Sequence, residues 1–250
     1  MKLIIVACEI MFREICHCAS QSKNTVDIRF LRKGLHDLGC REMSESLQQE
    51  ISQISKDNYE AIVLGYGLCN NGTIGLMAEK IPLVIPRAHD CITLLLGSKE
   101  RYRKYFQAHP GTYFHSTGWL ERNSLSEEDQ GKDVPSQLGL NISLEECIRK
   151  YGKENAQYIM ETLGEWNGMR NYDRITYIDM GVGNFPEHEE KAKRDASERG
   201  WKFERLQGDV TLLQRLINGD WNPEEFLVVE PGQKIVPTYL ADIVTAEEFH

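Results

Sequence analysis

The sequence lacks any apolar run long enough to cross a membrane. No stretch of about 18 apolar residues occurs among its 250 residues, and a membrane-spanning helix needs about that length. The segment "MKLIIVACEIMF" has one lysine, a short apolar run broken by Glu9 and no small-residue cleavage site. We therefore expect a first strand here rather than a signal peptide, in a cytoplasmic protein that makes no membrane contact.

Positive charge is also scarce relative to negative charge. The chain has 29 Lys and Arg against 38 Asp and Glu, a formal net charge of −9. Because nucleic-acid phosphates are bound by basic surfaces, this balance argues against a nucleic-acid partner. The 41% hydrophobic and 27% charged content is ordinary for a globular protein, and the length allows one large domain or two small ones.

The cysteines show neither a CxxC pair nor a regular spacing. An odd count of seven and a cytosolic setting argue against a disulfide framework, so metal binding, catalysis and burial remain as alternatives. Cys16 and Cys18 flank His17 like a ligand set, but on a predicted helix residues i and i+2 point apart. We interpret Cys40 and Cys147 as packing residues.

Short apolar runs alternate with helical patterns along the chain. This order predicts an α/β fold with a mainly parallel sheet flanked by helices, in Rossmann-like halves. We expect a main domain over residues 1–170 and a smaller βαβα half over 171–250, and whether they share a sheet stays open. The predicted strands are 3–7, 26–30, 59–64, 83–85, 111–114, 174–178, 201–206 and 226–229; the predicted helices are 43–54 (capped by Ser44 or Ser46), 144–166, 186–199 and 210–216; residues 120–135 are expected to form a surface loop.

Reactive side chains follow three of the predicted strands. Cys8 ends the first apolar run, Cys69 lies in "GYGLCNNGTIG" after the third, and "PRAHDC" with His89 and Cys91 follows the fourth. Ligands of open parallel sheets bind beyond the carboxyl ends of the strands. We therefore expect these three thiols and the imidazole to contribute to one shared site.

Three interpretations of this shared site remain open. Zinc takes Cys and His ligands, and His89-x-Cys91 presents two of them from one turn, which favours zinc. An iron–sulfur cluster held by Cys8, Cys69 and Cys91 would leave one iron open to substrate. The third alternative is plain packing, because cysteine is among the most buried residue types.

Charged residues near these cysteines are candidates for catalysis. Glu9 or Asp90 would orient a ligand or act as a base behind the metal. Arg87 would pair with an anionic substrate group or with Glu9, and a structural ion pair is an equal alternative. Trp119 follows a predicted strand and would line the mouth of the pocket, together with Glu121 and Arg122.

Glycines after two strands are candidates for cofactor binding. Gly65, Gly67 and Gly72 let a backbone turn sharply and approach a ligand, and the helix start beyond them would hold an anion. The stretch "GYGLCNNG" matches neither the P-loop nor the GxGxxG fingerprint. A tight turn without a ligand is the alternative, and "DMGVGN" with Asp179 and Gly181 is a weaker candidate of the same kind.

Four motifs together resemble one known family. With "GYGLC", "IPRAHDCITLLLGS", "GTYF…GW" and "VVEPGQKI", the chain resembles the family called domain of unknown function 1638, up to about Gly232. The resemblance implies an origin in anaerobic bacteria or methanogenic archaea and an association with corrinoid-dependent methyltransferase systems. It implies no settled activity. The anaerobic context favours both zinc–thiolate and iron–sulfur chemistry.

A comparison with methyl-transferring zinc enzymes bears on the mechanism. Enzymes that pass methyl groups from corrinoid proteins to thiols use an H-x-C pair with a second Cys far downstream, whereas here Cys8 and Cys69 lie upstream. We predict a zinc-dependent metal–thiolate enzyme of one-carbon or methyl-transfer metabolism, with a small-molecule substrate and a corrinoid protein as partner. The alternatives are an open-site iron–sulfur protein and a non-catalytic module that binds a corrinoid or folate.

Overall fold

The computed structural model describes residues 1–122, 172–238 and 243–249, with residues 145, 148, 149, 152, 153 and 155 between them. Cys147, most of the predicted helix 144–166 and most of the predicted loop 120–135 lie outside the described residues. In the described residues the strands are β1 (Lys2–Cys8), β2 (Thr25–Leu31), β3 (Ala61–Gly65), β4 (Met77–Ala78), β5 (Leu83–Pro86), β6 (Thr112–Ser116), β7 (Arg174–Asp179), β8 (Lys202–Gln207), β9 (Phe226–Val229), β10 (Gln233–Pro237) and β11 (Val244–Glu248).

Two short 3₁₀ segments and a set of α-helices connect these strands. The 3₁₀ segments are Glu9–Met11 and Lys33–Leu38, and the described helices are α1 (Phe12–Gln21), α2 (Cys40–Ser52), α3 (Cys91–Leu95), α4 (Lys99–Ala108), α5 (Thr117–Glu121), α6 (Pro186–Arg199) and α7 (Thr211–Asn218). None of the described helices is long and apolar enough to cross a membrane.

The central sheet is mainly parallel, which confirms the predicted α/β class. Its strand order is β2-β1-β3-β5-β9; the first four strands run parallel, and β9 pairs antiparallel with β5. The strand β1 is buried along all but its first residue, as its continuous apolar run predicts for a strand covered on both faces.

Two smaller sheets complete the described fold. The strands β6, β7 and β8 form a parallel sheet, and β11, β10 and β4 form an antiparallel one. All three described sheets pair strands from the two sides of residue 170. The division into 1–170 and 171–250 therefore crosses paired strands, and the two parts share the central sheet through β9.

The start of α2 corrects one detail of the sequence interpretation. The helix begins at Cys40, and Met43, Leu47 and Ile51 form its buried face. The predicted caps were wrong because Ser44 and Ser46 lie inside the helix, where their hydroxyls donate to the carbonyls of other residues.

The prediction missed α4, which buries none of its residues and so has only a weak apolar pattern.

The strand order itself creates a place for a ligand. The chain passes from β1 to β2 on one side and later to β3 on the other side of β1. In such sheets a crevice forms where the order reverses, outside the carboxyl ends of the strands. Cys8 is the last residue of β1, and Tyr66 comes directly after β3, so both lie at this crevice.

Candidate functional site

A cavity of about 590 Å³ lies beyond the carboxyl ends of β1, β3 and β5. Cys8, Cys69 and Cys91 all line it. They come from three neighbouring strands of the sheet, since Cys8 ends β1, Cys69 lies in the loop after β3 and Cys91 begins α3 after β5. We name this space the thiol cavity. Its volume lies within the range of small-molecule sites.

The loop that carries Cys69 has an unusual backbone. Cys69, Asn70 and Asn71 have φ values of 45°, 56° and 64°. Asparagine tolerates this left-handed region, but for a cysteine it costs roughly 1–2 kcal/mol. A strained conformation of this kind persists only where the surrounding structure holds it, and here it places a thiol on the cavity wall.

The loop after β3 is fixed against the loop after β5. The amide of Leu68 donates to the Ala88 carbonyl at 2.7 Å, and the amide of Cys69 donates to the His89 carbonyl at 2.9 Å. Gly67 permits this approach, because a Cβ there would lie 2.8 Å from the Ala88 oxygen. The two loops therefore form one unit that carries two of the three thiols.

Burial controls the protonation of the three thiols. It raises the pKa of Cys8 to about 11 and that of Cys69 to about 12, and it raises the pKa of Cys91 well above the ordinary value. Negative charge on Asp90 and on the neighbouring thiols raises the pKa values of Cys69 and Cys91 further. Near neutral pH the site therefore holds neutral thiols, and thiolates there require a bound cation.

Tyr66 adds an unsatisfied polar group to the site. Its side chain lines the thiol cavity and is 3% exposed, and among the described residues its hydroxyl has no hydrogen-bond partner. Burial, and then the charges of Cys8, Cys69, Glu9 and Cys91, raise the pKa of Tyr66 well above its ordinary value. Tyr66 and the three thiols thus line the same cavity. A buried donor without an acceptor costs about 1–3 kcal/mol, which an acceptor bound among the thiols would relieve.

Asp90 lines the cavity and caps the helix that Cys91 begins. Its Oδ1 accepts from the amide of Thr93 at 3.1 Å, and its Oδ2 accepts from the Tyr102 hydroxyl at 3.0 Å. These contacts fix the start of α3 and hold the ring of Tyr102. The structure therefore gives Asp90 a positioning role for Cys91 and Tyr102.

Glu9 holds the backbone on the other side of the cavity. Its Oε1 accepts from the amide of Lys33 at 2.9 Å, and its Oε2 lies 3.7 Å from Nη1 of Arg122. Its described partners are thus Lys33 and Arg122 and do not include Arg87. Glu121, the neighbour of Arg122, pairs with Arg13 at 2.8 Å.

Lys33 is a cavity residue that the sequence analysis did not single out. Its side chain is 5% exposed, and its Nζ donates to the Trp119 carbonyl at 2.9 Å while lying 3.9 Å from the centre of the Trp119 ring. Burial lowers the pKa of Lys33. Trp119 itself lines the cavity. The only signal for Lys33 in the sequence was its place just after β2.

Arg87 and His89 face a different space from the three thiols. Both line a second cavity, of about 820 Å³, beside α4. Arg87 donates through Nε to the Pro223 carbonyl at 2.8 Å and through Nη1 to the Val244 carbonyl. His89 is exposed. Its carbonyl accepts from Cys69, and the chain turns into α3 after Asp90, so the imidazole and the Cys91 thiol point into different cavities.

All three candidate glycines pack closely against other parts of the protein, and a Cβ at Gly65 would lie 2.5 Å from the Cβ of Ala7. Gly65 lines the thiol cavity. Gly67 approaches the neighbouring loop, and a Cβ at Gly72 would lie 2.2 Å from the sulfur of Met43. Asp179 and Gly181 lie at the end of β7 in another sheet, where Asp179 accepts from the Gly181 amide at 3.0 Å and pairs with Arg205.

The remaining cysteines lie away from the thiol cavity. Cys16 and Cys18 lie on α1, as predicted; Cys18 is buried and Cys16 is half-buried. Cys40 is exposed, so its interpretation as a packing residue was wrong. Across the residues that the structure describes, no group of three or more His, Cys, Asp or Glu side chains is arranged to hold a metal ion.

The fold and the site define an α/β protein with a thiol-lined cavity at the point where the strand order of its central sheet reverses. The chain belongs to the family "Protein of unknown function (DUF1638)", whose model matches residues 30–217. That match includes Tyr66, Cys69 and Cys91 and leaves Cys8 outside it. No curated protein and no solved structure matches the chain.

Proposed function

We propose that Cys8, Cys69 and Cys91 hold an iron–sulfur cluster whose fourth iron is open to a small-molecule substrate in the thiol cavity. The observation that carries the proposal is the presence of all three thiols on one cavity of ligand size. Three cysteine ligands suit a cluster with one iron left for substrate. When bound, such a cluster supplies a Lewis-acidic iron at the inner end of the cavity.

The donor set consists of three thiols whose pKa values are raised by burial, so a metal centre bound here would release their protons. The Tyr66 hydroxyl has no partner among these thiols. A ligand thiolate or a sulfide would be a hydrogen-bond acceptor for it, which supports a sulfur-rich centre in this cavity.

The placement of the ligands favours a cluster over a single zinc ion. The sequence argument for zinc rested on His89, whose side chain lines the second cavity. Without the imidazole the donor set is three thiols, and three cysteine ligands suit a cluster that leaves one iron open to substrate.

The protein's own residues have defined tasks in this proposal. The strained turn at Cys69 directs one thiol inward, and Asp90 fixes the start of α3 for Cys91. Tyr66, which lines the same cavity, would supply a hydrogen-bond donor to a sulfur of the centre and so stabilise negative charge there. Lys33 holds Trp119 as part of the cavity wall. Together these contacts orient the ligands and form part of the cavity wall.

Zinc bound by the same three thiols is the alternative cofactor. It would present a substrate thiol as a thiolate and so support methyl transfer. A role in one-carbon metabolism, a corrinoid protein as partner, and a non-catalytic module that binds a corrinoid or folate stay predictions that rest on the family resemblance.

The test is the metal content and visible spectrum of anaerobically purified protein. We expect iron and sulfide with a broad absorption in the blue, lost in Cys69→Ala and in Cys91→Ala. Cys40→Ala (an exposed thiol) and Cys18→Ala (a buried thiol outside the cavity) are matched controls that keep the colour. About one zinc per chain, lost in the same two variants, would select the zinc alternative. Protein without metal, or metal that survives both substitutions, would contradict the proposal.

A further inference from the structure

Aromatic side chains form a large part of the thiol cavity wall. They come from α4, β6, α5 and the residue two positions before β7, and they are Tyr102, Phe106, Tyr113, Phe114, Trp119 and Tyr172. Aromatic rings bind other rings through stacked and edge-to-face contacts as well as through burial of apolar area. The wall therefore favours a flat ring over an aliphatic body of similar size.

Contacts among these rings hold part of the wall in place. Tyr113 meets Trp119 edge-on with ring centres 6.5 Å apart, and it meets Tyr172 edge-on at 5.4 Å. The ammonium of Lys33 lies against Trp119. A ligand ring at Tyr113 thus meets a surface that is already ordered, which reduces the entropy lost on binding.

Charge at the cavity favours an anionic group on the ligand. Arg32 and Lys33 line the cavity, and Asp90 is the one carboxylate among its described lining residues. Both oxygens of Asp90 already accept hydrogen bonds. The described cavity wall therefore carries more positive than negative charge.

We propose that the ligand of the thiol cavity is a small aromatic carboxylic acid. Its ring lies against Tyr113 and Trp119, and its carboxylate points towards Arg32 and Lys33. The proposal depends on the aromatic wall and the basic residues of the cavity and does not require the metal centre.

The test is calorimetric titration of the metal-loaded protein and of the metal-free protein with four probes: benzoate, cyclohexanecarboxylate, acetate and benzylamine. We expect benzoate to bind about fivefold more tightly than cyclohexanecarboxylate, because ring contacts contribute beyond apolar area. Acetate and benzylamine should bind far more weakly, since one lacks the ring and the other carries the wrong charge. Equal affinity for benzoate and cyclohexanecarboxylate, tighter binding of benzylamine, or no binding of benzoate to either form would overturn the proposal.

Matched variants locate the binding to the wall. Tyr113→Leu should abolish the preference for benzoate, whereas Tyr113→Phe, which keeps the ring, should retain it. Tyr59→Leu is the control, because Tyr59 lies outside the cavity and its hydroxyl bonds Asp27 at the surface. A benzoate preference that survives Tyr113→Leu would overturn the assignment to this wall.

The outcomes separate this inference from the proposed function. Protein that binds no metal but still prefers benzoate would refute the metal centre and support the aromatic acid. Protein that binds metal at the three thiols and shows no ring preference would support the centre and refute the aromatic acid.

Discussion

The carboxyl ends of two parallel sheets differ sharply in this molecule. At the central sheet, three thiols share a cavity with the hydroxyl of Tyr66, which has no hydrogen-bond partner in the described part of the chain. At the sheet of β6, β7 and β8, the last residue of β7 is Asp179, whose carboxylate accepts from the Gly181 amide and pairs with Arg205 near the surface.

Both places satisfy the rule that ligands bind beyond the ends of parallel strands. They differ in whether the polar groups are already satisfied by the protein. The groups around Asp179 are paired with one another, so no ligand is needed to complete them. At the central sheet the buried Tyr66 hydroxyl lacks an acceptor among the described residues, so a bound ligand could complete its hydrogen bonding. Burial and pairing, rather than strand ends alone, therefore single out the thiol cavity.

The largest expected difference between the two sheet ends is in metal content after one side chain is removed from each. We expect Cys8→Ala to abolish metal binding although Cys8 lies outside the residues that the family model matches. Asp179→Asn should leave the metal content unchanged, because Asp179 does not line the thiol cavity. Elemental analysis of the two variants beside the unmodified protein decides this. Equal metal loss in both would remove the distinction between the two sheet ends.

A buried glutamate on α1 should make stability fall as pH rises. Glu14 is 1% exposed, and burial raises its pKa from 4.5 to about 7. As the pH rises between these values, the unfolded chain releases the proton first. The free energy of unfolding therefore falls by about 3 kcal/mol across this range. Glu14→Gln cannot ionise, so its stability relative to the unmodified protein should rise by about that amount over this window.

Urea unfolding at several pH values measures this change. A stability difference that stays constant from pH 4 to pH 8 would show that Glu14 titrates normally in the folded protein.

A buried histidine on β6, His115, should make stability fall as the pH is lowered. Burial lowers the pKa of His115 from 6.5 to about 4, against the charge of Asp195 and with the help of Lys191, Arg199 and Lys33. As pH falls through this window the unfolded chain takes up the proton first, which destabilises the folded state by about 3 kcal/mol at most. His115→Gln should therefore gain relative stability on acidification, as followed by circular dichroism during urea unfolding. A gain on raising the pH instead would contradict the assigned direction.

Alanine substitutions at one glycine near each sheet end should differ in their cost to stability, by less than the effects above. A Cβ at Gly67 would lie 2.8 Å from the backbone of the facing loop, whereas at Gly181 the nearest atom is 3.7 Å away. Gly67→Ala should cost about 2–3 kcal/mol through overpacking. Gly181→Ala should cost only about 1 kcal/mol, because its φ of 67° disfavours a side chain. Thermal unfolding compares the two, and a larger cost at Gly181 would break the comparison.

The sequence predicts the elements whose apolar pattern is strong. The bounds of α6 and β9 agree with the predicted ranges, because the first begins with Pro186 and precedes Gly200, and the second is a short buried apolar run. The strands β10 and β11 were missed, since charged residues interrupt their apolar pattern. Local pattern therefore succeeds where burial is continuous and fails at half-exposed strands.

The candidate site was predictable only in outline. The edge rule brings Cys8, Cys69 and Cys91 to one end of the sheet, and all three line one cavity. The direction of His89 depends on the turn at Asp90, and the isolation of the Tyr66 hydroxyl depends on how two loops dock. Neither follows from spacing, because both arise from contacts between segments distant in sequence.

The left-handed turn at Cys69 has a consequence for how the site comes into being. Its hydrogen bonds run to Ala88 and His89, so the turn is secured only after the loop beyond β5 has joined the sheet. A growing chain exposes Cys8 first and has no partner thiols in place for it. The set of three exists only in the assembled sheet, so a metal bound as proposed would be captured only on completion of the fold.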